Sequence, residues 1–121
     1  MQMKTVAGVM LASILMSNAY GAQCPEASMI KQAGDGFTAT GPNGTNLNVN
    51  VYPEDATSEQ LKTLKFTAAA IKEGSVICRY EGSDDLGASL KYGTATKGDS
   101  DKWKENACIT ADNNTAACSF K

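Results

Sequence analysis

Four cysteines, Cys24, Cys78, Cys108 and Cys118, lie in a chain of 121 residues that contains no histidine. An even set of cysteines behind an export leader reads as a disulfide framework, which limits the fold to a small cross-linked domain. Of the connectivities open to four cysteines, Cys108 with Cys118 closes a short loop around Asp112-Asn113-Asn114. Cys24 with Cys78 then staples the start of the mature chain to its middle, and this is the pairing expected. Chain entropy assigns about 3 kcal/mol to the short loop and about 4 to the long one. A four-cysteine zinc site lacks the Cys-x-x-Cys spacing it would need.

Cys78 falls within a hairpin pattern, residues 66–82. Val76, Cys78 and Tyr80 alternate with Ile77, Arg79 and Glu81, so the first set shares one face of a strand and the second set the other. Asn46-Leu47-Asn48-Val49-Asn50-Val51-Tyr52 alternates in the same way until Pro53 stops it. Gly36-Phe37-Thr38-Ala39-Thr40 is a further extended run that ends in the turn cluster Gly41-Pro42-Asn43-Gly44. Leu86, Ala88, Leu90 and Tyr92 predict a strand closed by Gly93. Thr57-Ser58-Glu59-Gln60 has the capping-box form and opens a helix through Leu61 and Leu64. That helix either runs on through Ala68 and Ile71 to Gly74, or stops early and yields to a strand carrying Leu64, Phe66, Ala68 and Ala70 on one face. Residues 107–121 read as irregular or edge-strand structure held by their own cystine.

The chain opens with Lys4, an apolar run over residues 6–16, and small residues at Ser17-Asn18-Ala19 or Ala19-Tyr20-Gly21. That is the form of a secretory signal peptide, assigned to residues 1–22, and its apolar run is too short to span a bilayer. Gln23 before Cys24 is not the small residue that a lipid-anchor signal requires. Residues 23–121 then form one domain of about a hundred residues. The net charge of -2 and the scattered lysines argue against a phosphate-backbone binder, which needs a clustered basic face.

The missing histidine removes imidazole-based hydrolases and His-ligated metal sites. Carboxylates remain, and Glu54, Asp84 and Asp85 are the candidates for a glycan hydrolase. Such an enzyme needs two carboxyl groups facing each other across a cleft, and neighbours along a strand face opposite ways. Asp99-Ser100-Asp101 alternates acids as a calcium loop does, but an EF-hand would need an oxygen donor at Trp103 and a glycine at Lys104. No metal or cofactor is therefore assigned. Asn43-Gly44-Thr45 and Asn113-Asn114-Thr115 match the glycosylation sequon. Exposed aromatics combine contact area with a polar tip, which makes Trp103, Tyr92 and Tyr52 the candidate binding surface. A lone Trp five residues from a half-cystine is, however, more often the plug of a small core.

The spacing of Cys24-Pro25, Ile30, Phe37-Thr38-Ala39, Gly41, Phe66, Ala68, Gly74, Cys78-Arg79-Tyr80, Trp103, Cys108 and Cys118-Ser119-Phe120 resembles the DUF3757-type family of small exported bacterial proteins. The resemblance implies export, disulfides and a single domain, with no assigned activity, and it favours the short helix followed by a strand. Phe37 and Ala70 stand where that family carries tryptophan. Ala88-Ser89-Leu90-Lys91-Tyr92 and Thr96-Lys97-Gly98-Asp99 are also similar to the Ser-Gly-x-x-Tyr and Lys-Gly motifs of periplasmic lysozyme inhibitors, except that the first lacks its glycine.

These readings converge on an α+β, mainly antiparallel β domain with one short helix and two disulfides. The expected location is the periplasm or the outside of the cell. The expected role is non-catalytic binding of a protein or an envelope glycan. The alternatives are a carboxylate-based cell-wall glycan hydrolase and a lysozyme-inhibitor-like protein.

Overall fold

The computed structural model describes residues 22–41 and 44–121. The expected leader lies outside these residues except for Ala22. The strands are β1 (Ile30–Ala33), β2 (Gly36–Thr40), β3 (Asn46–Tyr52), β4 (Lys65–Lys72), β5 (Ser75–Glu81), β6 (Gly87–Thr94), β7 (Trp103–Lys104) and β8 (Ala107–Ile109). They form one sheet in the order β1-β2-β3-β6-β5-β4-β8-β7, and every adjacent pair is antiparallel. β3 pairs with β6 rather than with β4, the strand that follows it, which is a Greek key read backwards along the chain. Among the described residues, helix is confined to α1 (Ser58–Leu61) and two 3-10 turns.

Local chemistry accounts for the central elements. Thr57 caps α1 by accepting from the Gln60 amide, while the Gln60 side chain accepts from the Thr57 amide at 2.7 Å. The helix stops after one turn, and Leu61 and Leu64 enter the core. The β4–β5 hairpin turns on Glu73 and Gly74, both at positive φ, as a two-residue turn matched to strand twist requires. Along β5, Val76, Cys78 and Tyr80 are buried while Arg79 and Glu81 are exposed, as alternation demands.

β4 departs from simple alternation. Phe66 pairs with Tyr80 and Ala68 with Arg79, so Thr67 is an extra residue in a β-bulge. The bulge reverses the faces, and Ala69 and Ile71, instead of Ala68 and Ala70, join Phe66 in the core. The disulfide loop covers the irregularity. The Asn113 side chain donates to the Phe66 carbonyl at 2.8 Å, and the Thr110 amide to the Thr67 carbonyl at 3.0 Å.

Cys24 is bonded to Cys78 and Cys108 to Cys118, and all four are buried. Residues 22–25 are tethered to later parts of the chain. Ala22 and Phe120 exchange backbone bonds of 2.7 and 2.8 Å, and Gln23 donates to the Thr115 hydroxyl at 3.1 Å. The Tyr80 hydroxyl donates to the Pro25 carbonyl at 2.6 Å, and its ring meets Phe66 edge-on.

Candidate functional site

The sheet separates the three aromatics proposed as a binding surface. Trp103 is half-buried on β7, with its indole N–H donating to the Ser119 carbonyl at 2.8 Å. Its ring lies against Gly98 so closely that any Cβ there would overlap the indole. Tyr92 points to the core side of β6 and packs edge-on against Phe120 at 5.7 Å, and burial raises the pKa of its phenol. Tyr52 alone stands free, 74% exposed on the outer face of β3. It lies opposite Gly87, five residues before Tyr92 on β6 and so roughly 17 Å away. Tyr92 therefore packs against Phe120 and Trp103 against Gly98, and Tyr52 belongs to a different surface.

That surface is the outer face of β3, β6 and β5. The registers align Tyr52, Gly87 and Glu81 in one row across the three strands, and Asn50, Ser89 and Arg79 in the next. Gly87 contributes no side chain between Tyr52 and Glu81, which leaves a shallow depression of about 460 Å³. Ile77 lines one side of it, and Arg79, Ser89 and Asn50 form its polar floor. Among the described residues, the side chains of Asn50, Ser89, Arg79 and Glu81 make no hydrogen bond or ion pair with one another or with any neighbour. The face thus offers an exposed ring beside unengaged donors and acceptors, the combination that grips a sugar by stacking and hydrogen bonding.

The candidate acids are dispersed. Asp84 and Asp85 are exposed in the β5–β6 turn, both at positive φ. Glu54 follows β3 and lines a second depression of about 320 Å³, where the other carboxylate is Asp35 of the β1–β2 turn. Asp84 and Asp85 line neither this depression nor the one beside Tyr52. Asp99 of the acidic loop pairs with Lys121 at 3.3 Å. No group of three or more Cys, Asp or Glu side chains among the described residues is placed to hold a metal ion. Asn113 is engaged with Phe66, Asn114 caps the 3-10 turn Thr115–Cys118, and Asn43 lies outside the described residues. The lysozyme-inhibitor-like residues do not converge either. Ser89 faces the outer depression, Tyr92 faces Phe120, and Gly98 lies beneath Trp103.

No protein-family model matches this sequence, and neither the curated proteins nor the solved structures contain a match to it. Among the described residues, no helix is long and apolar enough to cross a membrane. The outward positions of Asn50 and Arg79 follow from the alternation of their strands. Their meeting with Ser89 depends on β3 pairing with β6, and no local spacing signals that pairing.

Proposed function

We propose that this protein is an exported, non-catalytic binding module that recognises an envelope component through the outer depression at Tyr52, with a glycan the ligand that its lining suits best. One observation carries this reading: a freely exposed tyrosine ring adjoins four unengaged polar side chains over a gap left by Gly87. Export rests on the leader-like start of the sequence and on the two disulfides, which persist in oxidising compartments. The resemblance to DUF3757-type proteins points the same way.

The test uses the oxidised protein immobilised and exposed to solubilised cell-wall glycan. Retention of intact fragments is expected, with loss in Tyr52→Ala. Loss is also expected in Gly87→Val, because a Cβ at Gly87 meets only the Tyr80 carbonyl, at 3.9 Å, and the larger side chain projects into the depression. Equal retention by the parent and both variants would remove the site from consideration. One observation supports a hydrolase as the second reading, namely that Asp35 and Glu54 share a depression. Under that reading fragments are shortened, and Glu54→Gln stops the shortening while binding persists.

A further inference from the structure

A groove of about 630 Å³ runs beside β1, the strand at one end of the sheet. Ile30, Lys31 and Gln32 all line it, although side chains of successive strand residues point to opposite faces. The groove therefore follows the edge of β1 rather than either face. No β2 residue borders it, so it is the edge with which no strand among the described residues pairs. The opposite wall is α1 and the residues after it, with Ser58, Leu61, Lys62 and Leu64.

The hydrogen-bond parity of this edge follows from the turn. Ala33 pairs with Gly36 across the two-residue turn Gly34-Asp35, with Gly34 at φ 60°. Such a turn is closed by a hydrogen-bonded pair, and bonded and non-bonded pairs then alternate. Ala33 and Lys31 thus bond to β2, and the N–H and C=O of Gln32 point into the groove. The lining carries two cations, Lys31 and Lys62, and no carboxylate, in a chain whose net charge is -2. Lys62 is shared with Glu59 at 3.3 Å on the exposed surface, whereas Lys31 has no ion-pair partner among the described residues. An antiparallel second copy centred on Lys31 would bring Lys31 against Lys31, whereas one centred on Gln32 would set Lys31 opposite Ala33.

We propose that the β1–α1 groove is a docking site for an extended, acidic segment of another protein, which adds a strand to β1 and lays alternate side chains over the groove floor, where the buried Ile30, Leu61 and Leu64 show only their outermost atoms. Main-chain bonds to Gln32 provide adhesion, and the lysines select negative charge. This site is independent of the depression at Tyr52.

The experiment titrates the full oxidised domain with a fluorescein-labelled peptide of alternating Val and Glu, and with its Val-Lys counterpart. It is read by anisotropy and by the Gln32 amide signal in a nitrogen–proton correlation spectrum. The Val-Glu peptide is expected to bind, with affinity falling as salt rises, and to shift Gln32. The Val-Lys peptide is expected not to bind. Gln32→Pro removes an amide that the fold does not use and weakens binding by about tenfold with an unchanged urea midpoint. Lys31→Glu, an exposed change that keeps the fold testable if the proline does not, abolishes the preference for acid, while Gly87→Val changes nothing. The proposal is overturned by equal binding of both peptides, by no binding of Val-Glu at about 1 mM, or by full affinity in a folded Gln32→Pro. Sedimentation showing a dimer broken by Lys31→Glu would likewise overturn it and assign the edge to a second copy.

Discussion

The phenol of Tyr80 is buried, with the Pro25 carbonyl as its hydrogen-bond partner. Burial first, and the nearby Glu26 carboxylate second, hold its pKa well above the ordinary tyrosine value. Below about pH 10 the group is protonated in both the folded and the unfolded chain, and the bond contributes in full. Above that pH the unfolded chain ionises first, so stability falls as pH rises toward the folded pKa. Tyr80→Phe is expected to cost about 1–2 kcal/mol at pH 7 by leaving the carbonyl unpaired. Its deficit relative to the parent narrows in urea titrations near pH 11, and a deficit of constant size would show that the phenol is not shielded. At this scale the sequence was readable where alternation governs: Val76, Cys78 and Tyr80 face inward as their parity predicts. For Trp103 the core-plug reading agrees with its packing against the core, but its contacts with Gly98 and Ser119 arise only through the tertiary fold.

Elements with a complete local signature came through intact. Thr57 and Gln60 supply both halves of the α1 cap, and β3 runs from Asn46 to Tyr52 as its alternation predicts. β1 was missed because only Ile30 of its four residues is buried, although Gly34-Asp35 is a two-residue turn signal. The bulge at Thr67 has no signal of its own, and it makes β4 depend on the distant Asn113. Asn113→Gly keeps a residue that accepts the φ of 62° and removes only the side-chain bond to Phe66. The substitution is expected to destabilise the domain by about 1 kcal/mol and to hasten amide exchange at Thr110, which bonds to the bulged Thr67. Unchanged exchange there would mean that the bulge does not rely on the loop.

For the molecule as a whole, the two cystines act on loops of different size. They separate by 54 and 10 residues in sequence. Replacing Cys24 and Cys78 with serine is expected to cost about 4 kcal/mol, against about 3 for Cys108 and Cys118, before the loss of buried sulfur contacts is added. Calorimetry of the two double variants checks the order, and a reversed order would show that local packing outweighs chain entropy. The strand order itself was beyond the sequence. Hairpins announce themselves locally, whereas the pairing of β3 with β6 joins segments far apart along the chain.

The tethers of residues 22–26 bear on when such a chain can finish folding. Their partners are Cys78, Tyr80, Thr115 and Phe120, all contributed by later residues. Synthesis proceeds from the amino end, so the first residues of the domain to emerge must wait for nearly the last before they can settle. Until then Cys24 has no fixed neighbour and the Tyr80 hydroxyl no acceptor. Closure is thus a late event, and an oxidant acting on a half-emerged chain would find Cys24 and Cys78 before the strands that hold them in register are complete.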